Sequence, residues 1–323
     1  MKRFAPSRRT LLAGAAGALA AGAGALALGD RRLTSQVEAR HPPRGAFVTA
    51  EGLRLHHVSL GPEDGETVIL LHGATGNLND MTFDLAPRLA SAGRRVIAFD
   101  RPGLGWSQRP PAAQDPWRPA TQARILRAAA RALGVRRAVV LGHSWGAGVA
   151  LAWALLAPEE VSGVVVLGGA CMPWDDGEDG LLTPVIASRP AAVLGAAWLR
   201  HVSLADGGAS AAARIFRPQD PPEGYLDHLQ GELLLRPSSL QANTEDIQKL
   251  DRALADQARA YAGLVPPVRI LHGLADTITS PAIHSQGLAA VAPRATLSLL
   301  PGIGHMLHHA VPETAAAAAL DVA

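Results

Sequence analysis

The chain alternates between short apolar runs and longer helical patterns. Phe47–Ala50 and Leu53–Leu60 flank Glu51-Gly52 and read as a hairpin. Thr67–Leu71, Arg95–Phe99, Ala138–Leu141, Val161–Leu167, Val268–Leu271 and Thr296–Leu300 are compact apolar runs, as strands buried on both faces require. Helical spacing marks Asp80–Ala92, Pro119–Leu133, Trp145–Ala157, Pro281–Val291 and Val311–Leu320. Pro119 suits a first helical turn, Gly134 a stop, and Pro158 ends the next helix. This alternation predicts a mostly parallel sheet with helices on both faces and the antiparallel hairpin at its edge.

Residues 172–264 break the rhythm. They hold helix-like runs such as Pro190–Arg200 and Gln241–Arg259 and no evident strand, so they predict a helical insertion. The core is then 47–171 together with 265–323. Residues 30–46 are polar and aperiodic and read as a linker. Ahead of them, 1–29 has the parts of an export signal: a basic start, an uncharged Leu/Ala/Gly stretch from Leu11 to Leu28, and small residues around Ala25-Leu26-Ala27. Ser7-Arg8-Arg9-Thr10-Leu11-Leu12 resembles a twin-arginine signal, which predicts a periplasmic or extracellular protein. The alternative is an uncleaved membrane anchor, since the stretch is near the lower limit for spanning a bilayer.

Charge follows the same division. The formal net charge is +2, but Lys2, Arg3, Arg8 and Arg9 all sit in the leader. Removing these four from 30 basic residues leaves 26 against 28 acids, so the body is slightly acidic. No nucleic-acid footprint remains, and membrane contact is expected only through the N-terminal segment. Hydrophobic content of 48% excludes disorder as the main state. Cys171 is the single cysteine, which rules out an intrachain disulfide and any CxxC metal or redox motif.

The sharpest chemical signal is Gly142-His143-Ser144-Trp145-Gly146, which follows an apolar strand and opens a helix. A serine at such a turn is exposed and strained, and small neighbours leave room for the close approach. A serine hydroxyl needs a base, and the base an orienting acid. Asp276 follows the run Val268–Leu271, and His305 follows the last strand. Asp246 or Asp175 are alternative acids, and His308 and His309 compete with His305. The His305/His309 spacing of four residues suits metal ligation, but the sequence shows no matching acidic third ligand.

With these residues in place, the chain resembles the α/β-hydrolase superfamily, in its cap-bearing serine branch. The resemblance covers residues 47–320 and rests on four motifs in order: His72-Gly73, Asp100-Arg101-Pro102-Gly103-Leu104-Gly105-Trp106-Ser107, the Ser144 turn, and the Asp276/His305 pair. It implies an α/β-hydrolase fold: an eight-stranded, mostly parallel sheet with a helical cap after strand 6. It also implies Ser144 as nucleophile, His305 as base and acid, Asp276 as orienting acid, and the Ala74 and Trp145 amides as oxyanion hole. Asp100 is expected to organise its loop. Serine at position 144 argues against the epoxide hydrolase and haloalkane dehalogenase branches, which place aspartate there.

The implied reaction is acyl transfer to water on a small or medium carboxylic ester, with no cofactor and no metal. Carbon–carbon bond hydrolysis and cofactor-free perhydrolysis are alternatives on the same residues, and a non-catalytic binding protein is a third. Trp174, Trp198, Cys171 and Met172 are candidate pocket residues, with His72 and His143 as histidines near the site.

Overall fold

The structure, a computed structural model, describes residues 27–174 and 208–322. Trp198, Asp175, the run Pro190–Arg200 and most of the leader lie outside the described residues.

Eight strands form one sheet in the order β1-β2-β4-β3-β5-β6-β7-β8. They are β1 (Ala46–Ala50), β2 (Leu53–Leu60), β3 (Thr67–Leu71), β4 (Arg95–Phe99), β5 (Ala138–His143), β6 (Val161–Leu167), β7 (Val268–Gly273) and β8 (Ala295–Leu300). β1 pairs antiparallel with β2, and β2 with β4; every other pairing is parallel. The hairpin therefore sits at the edge, as its sequence predicts.

Both faces of the sheet are covered, which explains the unbroken apolar runs. Ile69, Leu71, Ile97, Phe99, Val140, Val164 and Val166 pack on one side, against the helices Pro119–Ala132 and Trp145–Leu156. Their alternate neighbours Val68, Leu70, Val96, Ala98, Val139, Leu141 and Val165 pack on the other. There they meet the helices Leu78–Thr82, Leu85–Ser91 and Pro312–Asp321. At the far edge β8 is only partly buried and alternates, as an edge strand should.

Between β6 and β7, the described residues 208–264 are helical, in segments including Ala209–Phe216, Tyr225–Leu229, Pro237–Gln248 and Leu250–Ala258. The predicted run Gln241–Arg259 is thus two helices that meet at Lys249. Asp80–Ala92 is likewise divided, into Leu78–Thr82 and Leu85–Ser91. Pro281–Val291 becomes a wide turn, Ala282–Gln286, followed by the helix Gly287–Val291.

The expected linker needs correction: residues 27–40 are helical. Leu33 and Val37, one turn apart, bury themselves against Leu233 and Leu240 of the insertion. Arg40 and His41 pair with Glu232, and Glu38 with Arg236. The first described helix therefore docks on the insertion.

Register decides where chemistry can gather. Leu71 is level with Phe99 on β4 and with Gly142 on β5. His143 is level with Leu167, Leu167 with Leu271, and Gly273 with Leu300. The carboxyl ends of these strands therefore bring His72, Asp100, Ser144, Asp276 and the loop to His305 to one edge of the sheet.

Candidate active site

Ser144 lies between β5 and the helix Trp145–Leu156 with φ 51° and ψ −120°, a conformation costly for any side-chain-bearing residue. Neighbouring glycines permit the turn. A Cβ on Gly142 would come within 2.3 Å of the Gly146 carbonyl oxygen, and one on Gly146 within 2.4 Å of the Leu71 oxygen. Ser144 N donates to Leu167 O at 3.0 Å, and its own carbonyl accepts from Ala147 and Ala170. Every arm of the turn is thus tied to a neighbouring strand or helix. Trp145 heads the helix, where the first amides have no intrahelical acceptor and the helix dipole favours negative charge.

His305 and Asp276 meet directly: Nδ1 stands 2.7 Å from Oδ2. Asp276 is buried, and its turn is self-capped, with Ile278 N and Thr279 N donating to Oδ1 at 2.8 and 3.0 Å. Thr279 Oγ1 donates to Oδ2 at 2.8 Å, and His272 Nε2 lies 3.1 Å from it. Burial alone would raise the Asp276 pKa. The hydrogen bonds from His272 and His305, the His305 charge and the Thr279 amide outweigh it and hold the carboxyl far below the usual range. An ionised Oδ2 at hydrogen-bond distance requires the proton of His305 on Nδ1, which leaves Nε2 as the free lone pair.

The loop after β3 is clamped from behind. Arg101, fully buried, donates through Nε to His72 O at 3.0 Å and through Nη2 to Gly73 O at 3.1 Å. It stacks on the Trp145 ring at 4.1 Å and pairs with Asp246 Oδ2 at 2.9 Å. Asp246 also pairs with Arg109 at 2.7 Å, and its carbonyl accepts from Trp145 Nε1. Thr75, at φ 59°, donates its amide to Asn243 Oδ1 at 2.7 Å. With the polar groups on either side so engaged, Ala74 is held between two fixed points. Asp100 accepts from Leu78 N, Trp106 N and His56, and so organises its loop.

Several sequence candidates sit elsewhere than expected. Asp246 belongs to the Arg101–Arg109 ion pair and touches no histidine of the site. His308 and His309 turn to Asp80, not to Asp276. His72 is buried, with Nδ1 donating to Gly73 O and Nε2 accepting from Arg101 N. Burial and the Arg101 charge push its pKa down to about 4, so it is neutral scaffold. His143 is also buried, bound through Nε2 to His305 O at 3.1 Å. Cys171 is packed wholly in the core, and burial pushes its thiol pKa up. His72 and Cys171 have no exposed surface and His143 almost none. Met172 and Trp174 are partly buried; Met172 N donates to His284, and Trp174 meets the His284 ring edge to face at 4.5 Å. Sequence reasoning missed His272, Thr279, Arg101 and Asn243 as site supports. The His272–Asp276 spacing and the place of Arg101 in the Asp100–Ser107 motif were the available hints.

Comparison with known proteins identifies the fold family. The alpha/beta hydrolase fold family matches residues 66–310. A 2-hydroxy-6-oxononadienedioate/2-hydroxy-6-oxononatrienedioate hydrolase of Pseudomonas putida is 40% identical over 121 residues, 36% of this chain and 41% of that protein. Epoxide hydrolase B of Mycobacterium tuberculosis is 35% identical over 127 residues, 37% of this chain and 33% of that one. These matches span less than half the length of either relative. Among solved structures, a bacterial membrane phospholipase A superposes with TM-score 0.65 at 22% identity, covering 95% of this chain and 96% of that one. A 2-hydroxy-6-oxo-6-phenylhexa-2,4-dienoate hydrolase from Rhodococcus sp. gives 0.64 at 20%, covering 83% and 94%. From its sheet order, its strained serine turn and its family match, the chain belongs to the alpha/beta hydrolase fold family.

Proposed function

We propose that the protein is a serine hydrolase that cleaves a small or medium carboxylic ester through an acyl-enzyme intermediate. One observation carries this reading: the His305 Nδ1–Asp276 Oδ2 hydrogen bond, at the same sheet edge as the strained Ser144 turn. His305 Nε2 takes the Ser144 proton as Oγ attacks the ester carbonyl. The resulting oxyanion is held by the Trp145 and Ala74 amides, a pair whose members are each worth about 10²–10³ in turnover. His305 then gives its proton to the leaving alcohol, and water repeats the cycle to release the acid. Asp276 stays ionised throughout and stabilises the imidazolium. Serine as nucleophile sets the chain apart from the aspartate chemistry of the epoxide hydrolase branch.

A second reading has its own support. The Pseudomonas putida relative acts on a dienedioate that contains no ester, so its hydrolysis must break a carbon–carbon bond. The same serine and histidine serve that reaction by attack on a ketone. A panel of p-nitrophenyl esters of increasing chain length, run beside vinylogous diketones with and without peroxide, tests the choice. Ester turnover abolished in Ser144→Ala is expected. Diketone cleavage without ester turnover moves the assignment to the second reading, and no turnover by folded protein leaves the binding reading.

We further read the N-terminal segment as a twin-arginine export signal. Changing Arg8 and Arg9 together to Lys is expected to block export, and unaffected export refutes it.

A further inference from the structure

A second cluster of ionisable side chains lies behind His305 and has no part in the proposed reaction. Asp80, on the short helix Leu78–Thr82, is buried with an imidazole at each oxygen. His308 Nε2 is 3.2 Å from Oδ2, and His309 Nε2 is 3.0 Å from Oδ1. One nitrogen or oxygen from each of these three residues lies within 4.8 Å of the others. Tyr225 Oη donates to Asp80 Oδ1 at 2.8 Å.

His143 stands beside the group. Its Nε2 stands 3.1 Å from the His305 carbonyl oxygen, so that nitrogen carries the proton. Its Nδ1 is therefore a bare lone pair, buried, with no hydrogen-bond partner, and 3.9 Å from Asp80 Oδ2. A lone pair facing a carboxylate in a dry interior is unfavourable unless something electropositive lies between them.

We propose that Asp80, His308 and His309 bind one divalent ion of the zinc type, with the His143 Nδ1 lone pair facing the same carboxylate, as a structural site beneath the active site. Imidazole nitrogens with one carboxylate are a donor set that zinc accepts. Ligand atoms about 2.0–2.1 Å from a tetrahedral zinc stand roughly 3.3 Å apart. The His308 and His309 nitrogens stand 3.2 Å from Oδ2 and 3.0 Å from Oδ1, one at each carboxylate oxygen, so an ion between them needs the carboxylate to turn one oxygen towards both. Metal ligands must be unprotonated on the binding atom. Tyr225 then acts as the outer hydrogen bond that orients the carboxylate. The ion joins the helix Leu78–Thr82 to the helix Leu307–Ala310, which follows His305. The histidine pair visible at four-residue spacing is thus divided: His305 goes to Asp276, and His309 joins His308 on an acid far away in sequence.

The test is independent of hydrolysis. Untagged wild-type protein is analysed for metal by mass spectrometry, stripped with a chelator, and titrated with Zn²⁺ and Co²⁺. About one equivalent and the visible absorption of tetrahedral Co²⁺ are expected in wild type and in Ser144→Ala. Asp80→Asn and His309→Gln are expected to bind at least about 10–100-fold more weakly. Wild type that takes up neither ion overturns the proposal and leaves a hydrogen-bonded cluster bridged by water. Should Asp80→Asn fail to fold, the wild-type Co²⁺ spectrum and His309→Gln decide the matter.

Discussion

Asp276→Asn probes the link between geometry and chemistry most closely. The amide oxygen can occupy the Oδ1 position and keep the bonds from Ile278 N and Thr279 N, so the turn survives. The amide nitrogen then replaces Oδ2, 2.7 Å from His305 Nδ1, and sets a donor against a donor. The imidazole answers by moving its proton to Nε2, the atom that must accept from Ser144. Thr279 Oγ1, 3.3 Å from His305 Nδ1, is the other side-chain neighbour of that nitrogen and cannot stabilise an imidazolium as a carboxylate does. Turnover is expected to fall by about 10⁴. That equals about 5 kcal/mol of transition-state stabilisation at 1.36 kcal/mol per tenfold. Folding stability is expected to change less, by about 1–3 kcal/mol, because only the Oδ2 partners are mismatched. Steady-state ester hydrolysis measured beside denaturant unfolding separates the two. A folded variant within tenfold of wild-type turnover refutes the orienting role.

Asn243→Ala leaves the Thr75 amide without its acceptor and frees the loop that carries Ala74. Turnover is expected to fall about tenfold or more, with Asn243→Asp retaining most of it; equal activity in both contradicts the clamp. Gly146→Ala drives a Cβ to 2.4 Å from Leu71 O and is expected to cost about 1–3 kcal/mol in denaturant unfolding; an unchanged midpoint argues against the close packing. Stability should also fall on acidification. His72 drops from 6.5 when unfolded to about 4 when folded, so between those values the unfolded chain binds more protons and stability is lost as pH falls. Full loss of that contribution amounts to about 3 kcal/mol, and His284, also lowered to about 4, and His143 act in the same direction. Unfolding midpoints that stay flat from pH 7 to 5 contradict it.

The strands were legible because burial on both faces makes an apolar run, and β2, β3, β4 and β6 lie where the pattern puts them. Helix ends were less so: nothing in the apolar spacing marks the breaks at Phe83-Asp84 or Lys249. The helix over 27–40 was invisible for a different reason. Its buried side consists of Leu33 and Val37, and what orders them is the distant pair Leu233 and Leu240. At the site, Ser144 and His305 could be read from local turn chemistry. Asp276 had a rival in Asp246 that only three dimensions set aside, since Asp246 proves to be the counter-ion of Arg101. The Asp80 cluster joins residues 228 positions apart and leaves no local trace.

The central claim is that Ser144 is an activated nucleophile. A fluorophosphonate probe, read by intact mass and peptide mapping, tests it without knowledge of the substrate. Wild type is expected to gain one adduct on the peptide bearing Ser144, Asp276→Asn to react far more slowly, and Ser144→Ala not at all. Folded wild-type protein that stays unlabelled, or carries the adduct on another residue, contradicts the account.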